Sequence, residues 1–326
     1  MKAAMRDRYG PPEVVDIRDV ERPIPTADQV LVRVVAASVN RADIDGLYPR
    51  WGFTKLFLGL KAPKNPRLGL DLAGVVEAVG PDVNRFSPGD EVFGDLSAFR
   101  DGSFAEFVCA PERAFAAKPS GLSFEDAASL PHSAVLALQG LRTRAGRTPG
   151  SGDTVLIVGA SGNVGPFAVQ VAKAMGAEVS GVCRTDKVDF VRSLGADHVI
   201  DYTTTDYTKT GQRYDWILDV DSRHSIFRVR RALTDDGVYL TLGGSGARLF
   251  QGIVIGPLRS LVGKRWTGLV LWWKPFHAPD VERILGLIAA GKVTPVIDRR
   301  YPLSDIVAAL RWVDDGHAQG KVIVTP

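Results

Sequence analysis

The clearest chemistry in this sequence lies in one short run, Gly159-Ala160-Ser161-Gly162-Asn163-Val164-Gly165. It follows the apolar stretch 154–158 and precedes residues 164–175, which carry a helical pattern. A turn leading from a strand into a helix offers unpaired N–H groups and the positive end of the helix dipole, which suits a pyrophosphate. Gly162 would let the backbone approach that ligand, and Gly165 would let the helix pack closely on the strand. The run reads AxGxxG, because Ala160 stands where the usual motif has its first glycine. Its meaning comes from the strand–turn–helix setting rather than from the glycines alone.

The next strand indicates which dinucleotide is expected. An acidic residue at its end would bond the ribose hydroxyls of NAD. Here that strand ends Val182-Cys183-Arg184-Thr185-Asp186-Lys187. Arg184, followed by Lys187, suits a phosphate dianion instead. The cofactor expected is therefore NADPH rather than NADH. Asp186 has the wrong sign for this, and is expected to serve as a helix N-cap.

Two kinds of element must position these residues. Up to about residue 120 the chain reads as strands and turns, with Val-rich runs at 29–37 and 72–79 and punctuation such as Ser87-Pro88-Gly89-Asp90. A helix is expected over 124–144, opened by Ser123 with Asp126 three residues on. From Asp153 onward strands and helices alternate: strands at 154–158, 178–183, 198–201, 216–220, 238–242 and 266–271, with helices at 164–175, 187–194 and 225–233. That alternation predicts a parallel sheet covered on both faces. Helices at 280–290 and 304–314 and a strand at 321–324 follow. This tail is expected to return to the first domain, the alternative being a tail packed on the sheet domain alone. The domains are then 1–125, completed by 268–326, and 126–267.

Composition limits the functional classes. Forty basic and 37 acidic residues leave a net charge of +3, too balanced to imply nucleic acid as a partner. Cys109 and Cys183 are the two cysteines, so no disulfide framework is indicated and a reducing cytoplasm is the expected compartment. The start, MKAAMRDRYG, has no apolar core of a signal peptide. The uncharged stretch 154–172 is long enough to span a membrane, but glycines and Pro166 interrupt its centre, so a strand, turn and helix are expected instead of a span.

Further runs carry a resemblance. Gly69-Leu-Asp71-Leu-Ala-Gly74-Val-Val-Glu-Ala-Val-Gly80, Pro88-Gly89-Asp90-Glu-Val-Phe-Gly94, the AxGxxG turn, Leu194-Gly-Ala-Asp197-His-Val-Ile-Asp201-Tyr202 and Gly316-His-Ala-Gln-Gly320-Lys321-Val-Ile-Val occur in that order. Together they resemble the medium-chain dehydrogenase/reductase superfamily over the whole chain, and most closely its quinone oxidoreductase-like branch. The resemblance implies an α/β protein: a GroES-like β-barrel catalytic domain plus a Rossmann domain with a doubly wound parallel sheet, the active site lying in the cleft. It implies cofactor contacts at Ser161, Gly162, Asn163, Val164, Arg184, Lys187, Tyr202, Leu242, Gly243 and Lys321. Members of this branch are often labelled zinc-binding, yet Asn40 and Leu70 stand where family alcohol dehydrogenases have Cys and His, and Asp71 holds the place of a glutamate. His132 alone cannot hold a catalytic zinc, and a four-cysteine structural site needs more than two cysteines, so no metal is expected.

Without a metal the reaction must suit hydride transfer alone. Quinones and α,β-unsaturated carbonyls do: hydride adds at the β-carbon, charge moves to the carbonyl oxygen, and a proton reaches the α-carbon. Candidates lie in Asn40-Arg-Ala-Asp43-Ile-Asp-Gly46-Leu-Tyr48. Asn40 could donate an amide N–H, Tyr48 is the expected proton source, and the family uses such an Asn and Asp43 around the nicotinamide. Trp51, in the apolar run 51–60, together with His132 and Leu136, is expected to line the pocket of a small hydrophobic carbonyl or quinone. The apolar strand beginning at Trp266 would be a sheet edge, through which a homodimer is expected. The alternatives are a zinc-independent alcohol or aldehyde dehydrogenase, and a cofactor-binding adaptor with little turnover.

Overall fold

A computed structural model describes residues 1–48, 59–99, 101–244, 247–248, 251–255, 266–270 and 273–326. The chain divides into two compact units. The first comprises Met1–Ser133, Pro275–Val281 and Pro295–Pro326; the second comprises Ala134–Lys274 and Glu282–Thr294. The boundary thus falls a few residues beyond the expected 125, and part of the tail belongs to the second unit.

In the first unit, β1 (Lys2–Met5) and β2 (Asp16–Asp19) form an antiparallel pair. The larger sheet is organised around the long strand β3 (Gln29–Val39), which pairs along one side with β4 (Asp71–Val79). On its other side β3 is shared: Gln29–Arg33 pair with β6 (Phe107–Pro111), and Ala37–Val39 with the last strand, β15 (Lys321–Thr325). The path runs on through β5 (Glu91–Asp95) to β7 (Phe115–Ala117), and at the other end β15 pairs in parallel with β14 (Ile297–Pro302). The tail therefore does return to the first unit. Strand β14 was not foreseen, because its run IDRRYP alternates weakly and carries two arginines. The helix Ile306–Asp314 follows an i, i+3, i+4, i+7 pattern, and Ile306, Ala309, Leu310 and Val313 are buried in the core with Val30, Val32, Leu72 and Phe104.

The second unit carries a six-stranded sheet, all of whose pairs are parallel. Its strands are β8 (Thr154–Val158), β9 (Glu178–Cys183), β10 (His198–Asp201), β11 (Tyr214–Asp219), β12 (Leu233–Thr241) and β13 (Trp266–Leu269). Their order is β10-β9-β8-β11-β12-β13, the doubly wound order of a Rossmann domain. The order reverses between β8 and β11, which places a ligand crevice beyond the carboxyl ends of those two strands. The uncharged stretch 154–172 is strand, turn and helix, and among the described residues no helix is long and apolar enough to cross a membrane.

The single helix expected over 124–144 is two, Phe124–Ser129 and Ser133–Gly140. Ser123 Oγ caps the first by accepting from Asp126 N at 3.0 Å. Pro131 separates them, since it has no N–H to donate and its ring crowds the preceding turn.

Candidate functional site

The glycine turn sits at the end of β8. The N–H groups of Gly159 and Ala160 both donate to the carbonyl of Val182 on β9, at 3.1 and 3.0 Å, pinning the turn to the sheet. Gly159 has φ +83°, which suits glycine. A Cβ on Gly165 would lie 2.2 Å from the Gly159 carbonyl oxygen, so the helix Gly165–Ala174 can approach the strand only because that residue is glycine. Gly162 differs. A Cβ there would meet nothing of the protein nearer than 3.9 Å. The protein's own packing therefore does not require glycine at 162. No side chain caps the helix, whose N-cap is Val164, so its leading N–H groups and dipole are left to an anion. These features fit a pyrophosphate. Ser161, Asn163 and Val164 are buried within the turn. Beyond β12, Leu242 N bonds the Asp219 carbonyl at 3.0 Å, and a Cβ on Gly243 would come no closer than 3.6 Å to the Val220 carbonyl oxygen.

Arg184 follows β9 and leads into a short 3-10 turn, Thr185–Lys187. Its Nε and Nη2 donate to the two carboxylate oxygens of Asp186 at 2.6 and 2.7 Å. Asp186 is therefore not the expected N-cap: it lies inside the turn and pairs with the guanidinium. Lys187, expected beside a phosphate, is 4% exposed and folded inward. Tyr202 is 43% exposed, and the Arg223 guanidinium lies 5.1 Å from its ring centroid. Arg223, from the basic run 223–231, thus lies beside Tyr202.

The first unit holds a buried polar cluster. Asn40 follows β3 and caps the helix Arg41–Leu47, with its backbone N–H donating to Asp43 Oδ2 at 2.7 Å. Asn40 Nδ2 donates to Asp71 Oδ2 at 2.9 Å. Its Oδ1 accepts from Ser133 Oγ at 3.0 Å and from Lys321 Nζ at 2.6 Å. The Lys321 ammonium also donates to Ser133 Oγ at 3.1 Å and lies 3.4 Å from Asp71 Oδ2. The other Asp71 oxygen accepts from His132 N at 3.0 Å, and His132 Nδ1 lies 3.4 Å from Asp95 Oδ2. The break at Pro131 delivers His132 and Ser133 to this cluster.

Burial sets the electrostatics. It pushes Asp43 up to about 7, and pushes Asp71 up against the pull of Lys321. Burial works against the Asp95 carboxylate too, but bonds from His132 and Ser97 outweigh it and hold Asp95 below its ordinary value. His132 is held above its ordinary value, burial being overcome by Asp95 and Asp71. Lys321 is lowered by burial, with Asp71 and Asp43 opposing. Removed from water, these charges are tolerable only together.

Comparison with known proteins places both units. Residues 26–120 match the alcohol dehydrogenase GroES-like domain, and residues 194–324 match the zinc-binding dehydrogenase family. The chain is 35% identical to the mitochondrial NAD(P)H oxidoreductase RTN4IP1 of Mus musculus, over 99% of this chain and 89% of that one. It is 31% identical to the 2-methylene-furan-3-one reductase of Solanum lycopersicum, over 100% and 79%. The solved quinone oxidoreductase of Coxiella burnetii superposes with a TM-score of 0.87 at 29% identity, covering 100% of this chain and 99% of the other. The chain is a medium-chain dehydrogenase/reductase. Within that superfamily it belongs to the quinone oxidoreductase-like branch.

The residues of this medium-chain reductase do not fit zinc. Asn40 and Asp71 converge on an ammonium, with the His132 backbone N–H on the other Asp71 oxygen, and a second cation beside Lys321 would face direct repulsion. Of nitrogen or sulfur ligands only His132 is in the cluster, and Asp95 holds its ring. Among the expected catalytic residues, Asn40 and Asp43 are buried in this network, while Tyr48, half-buried, closes the helix with its N–H on the Ile44 carbonyl at 3.1 Å. Asn40 spends its amide inside the cluster rather than presenting it outward. Lys321, expected at the cofactor, is fully buried here as well. His132 is buried, Leu136 is the half-buried member of an otherwise buried stretch 131–140, and Trp51 lies outside the described residues. Sequence reasoning missed Ser133, Asp95 and Ser38, whose Oγ donates to Asp71 at 3.2 Å. The proline inside a helical pattern was the available signal for Ser133.

Proposed function

We propose that this chain reduces quinones or α,β-unsaturated carbonyls with NADPH and without zinc. The observation that carries this is the buried ammonium of Lys321, bonded to Asn40 and Ser133 beside Asp71, where family alcohol dehydrogenases place their metal ligands. Chemistry that needs no Lewis acid remains: a nicotinamide supplies a hydride when bound. The relatives' names, NAD(P)H oxidoreductase, 2-methylene-furan-3-one reductase and quinone oxidoreductase, support the same reaction class.

The chain's own residues divide the work. Ser161, Gly162, Asn163 and Val164 hold the pyrophosphate against the uncapped helix, flanked by Leu242 and Gly243. Arg184 and Tyr202 take the adenosine phosphate, and Lys187 supports that turn from within. Asn40, Asp43 and Lys321 act as positioning residues that fix the segment ending at Tyr48. The Tyr48 phenol supplies the proton. The partner is a small hydrophobic quinone or carbonyl. A second copy pairs through the sheet edge at β13 to form a homodimer. The compartment is the cytoplasm, which suits two unpaired cysteines.

Oxidation of NADPH, followed by absorbance against a panel of quinones, enones, alcohols and aldehydes, tests this. Turnover with the first two classes at undiminished rate in the presence of a zinc chelator is expected. Turnover of alcohols alone, or tight NADPH binding with no turnover of any class, would overturn it.

A further inference from the structure

Arg184 is held in a way that bears on cofactor choice. Its Nε and Nη2 make two parallel bonds to Asp186, the same two-pronged geometry in which a guanidinium receives a phosphate. The pair is local, set by the 3-10 turn Thr185–Lys187, and both side chains are open to solvent, 38% and 51% exposed. A pair so exposed is weak and can be opened by a competing anion. Other carboxylates stand close by. Asp201, at the end of β10, accepts from Thr185 Oγ1 at 2.6 Å, and Asp221 pairs with Arg223 at 2.8 Å beside Tyr202. Lys187, the remaining cation of the segment, points inward.

We propose that Asp186 is a specificity-determining residue, a built-in rival that competes with the adenosine 2′-phosphate for Arg184 and so narrows the preference for NADPH over NADH. This rests on the assignment of that phosphate to Arg184 made above. A 2′-phosphate reaching Arg184 must share the guanidinium with a carboxylate of its own sign or displace it. NADH brings no such group and meets no such conflict. Asp186 thus lowers affinity for one dinucleotide and leaves the other alone, acting through Arg184 rather than by touching the substrate.

Calorimetric titration of the purified protein with adenosine 2′,5′-bisphosphate, NADPH and NADH tests this without recourse to turnover. Asp186→Asn should lower the Kd for the bisphosphate and for NADPH about three- to tenfold and leave NADH within about twofold, while Asp186→Glu behaves as the parent. Arg184→Ala is run alongside. If Arg184→Ala weakens NADPH selectively but Asp186→Asn leaves NADPH binding unchanged or weaker, the rivalry is refuted and the phosphate assignment stands. If Arg184→Ala leaves both dinucleotides at parental affinity, the phosphate lies elsewhere and both proposals fall. If the gain from Asp186→Asn vanishes in the Arg184→Ala background, the effect runs through Arg184 as proposed.

Discussion

Replacing Lys321 by methionine keeps the reach of a fully buried side chain and removes its charge. At 3.4 Å from Asp71 Oδ2, with an effective dielectric of about 20, the attraction lost is about 5 kcal/mol. Asn40 Oδ1 and Ser133 Oγ lose a donor at the same time. Breaking one side of a buried ion pair costs about 3–5 kcal/mol net, because the remaining charge stays out of water. For a chain of 326 residues, at about 2.1 cal/mol/K per residue, that corresponds to a fall in the unfolding midpoint of about 4–7 °C. The loss should depend on pH. Burial already pushes Asp71 up and Lys321 pulls it down, so without the lysine Asp71 titrates higher still. Above that value the variant must hold a lone carboxylate; below it, protonation relieves the site. Thermal unfolding followed by circular dichroism at pH 8 and pH 5.5 should therefore show the larger deficit at pH 8. Adding Asp71→Asn to Lys321→Met should recover part of the stability. A variant that melts within about 2 °C of the parent at both pH values, or a double variant worse than the sum of its parts, would falsify the assignment of the ammonium as the cluster's counter-charge.

Gly162→Ala should melt within about 0.5 kcal/mol of the parent, since its new methyl meets no protein atom closer than 3.9 Å, yet bind NADPH at least about tenfold more weakly; unchanged affinity in the same titration would place the pyrophosphate elsewhere. Gly165→Ala should do the opposite first, losing stability because its Cβ would lie 2.2 Å from the Gly159 carbonyl oxygen, and a thermal scan equal to the parent's would contradict that close approach. Asp219, buried at the end of β11 and accepting from Tyr239 Oη at 3.0 Å, is pushed by burial up to about 7 from 3.8. The folded protein then holds a proton that the unfolded chain releases, so stability should fall as pH rises from about 4 to about 7, by up to about 4 kcal/mol, and level off above. Asp219→Asn should reduce that slope in denaturant titrations across the window, leaving the share of Asp43, and an identical slope in both proteins would show that Asp219 does not contribute.

What the sequence disclosed follows from how local the signals are. The turn 159–165 and the alternation after Asp153 are written in neighbouring residues, so the parallel sheet was legible, whereas its order β10-β9-β8-β11-β12-β13 was seen only in the structure. Arg184 was legible as the charged residue after β9, but its grip on Asp186 was not, because a 3-10 turn rather than an N-cap sets that geometry. The cluster was least legible. Asn40, Asp71, Asp95, His132, Ser133 and Lys321 are brought together by strands β3, β4, β5 and β15 and by the break at Pro131, none of which has a local signature of convergence. A glycine–lysine pair near the end of a chain suggests a surface cation, and only the pairing of β15 with β3 shows that the lysine enters the core.

That pairing has a consequence for biosynthesis. Lys321 is translated 281 residues after Asn40, about 15–55 s later at roughly 5–20 residues per second. Through that interval part of one side of β3 waits without its neighbour, and the carboxyl of Asp71 waits without its cation. Most of the second unit has meanwhile left the ribosome and can form its own core. The first unit therefore closes only after most of the second has been made, and until then the waiting edge of β3 is open to chaperones and to aggregation.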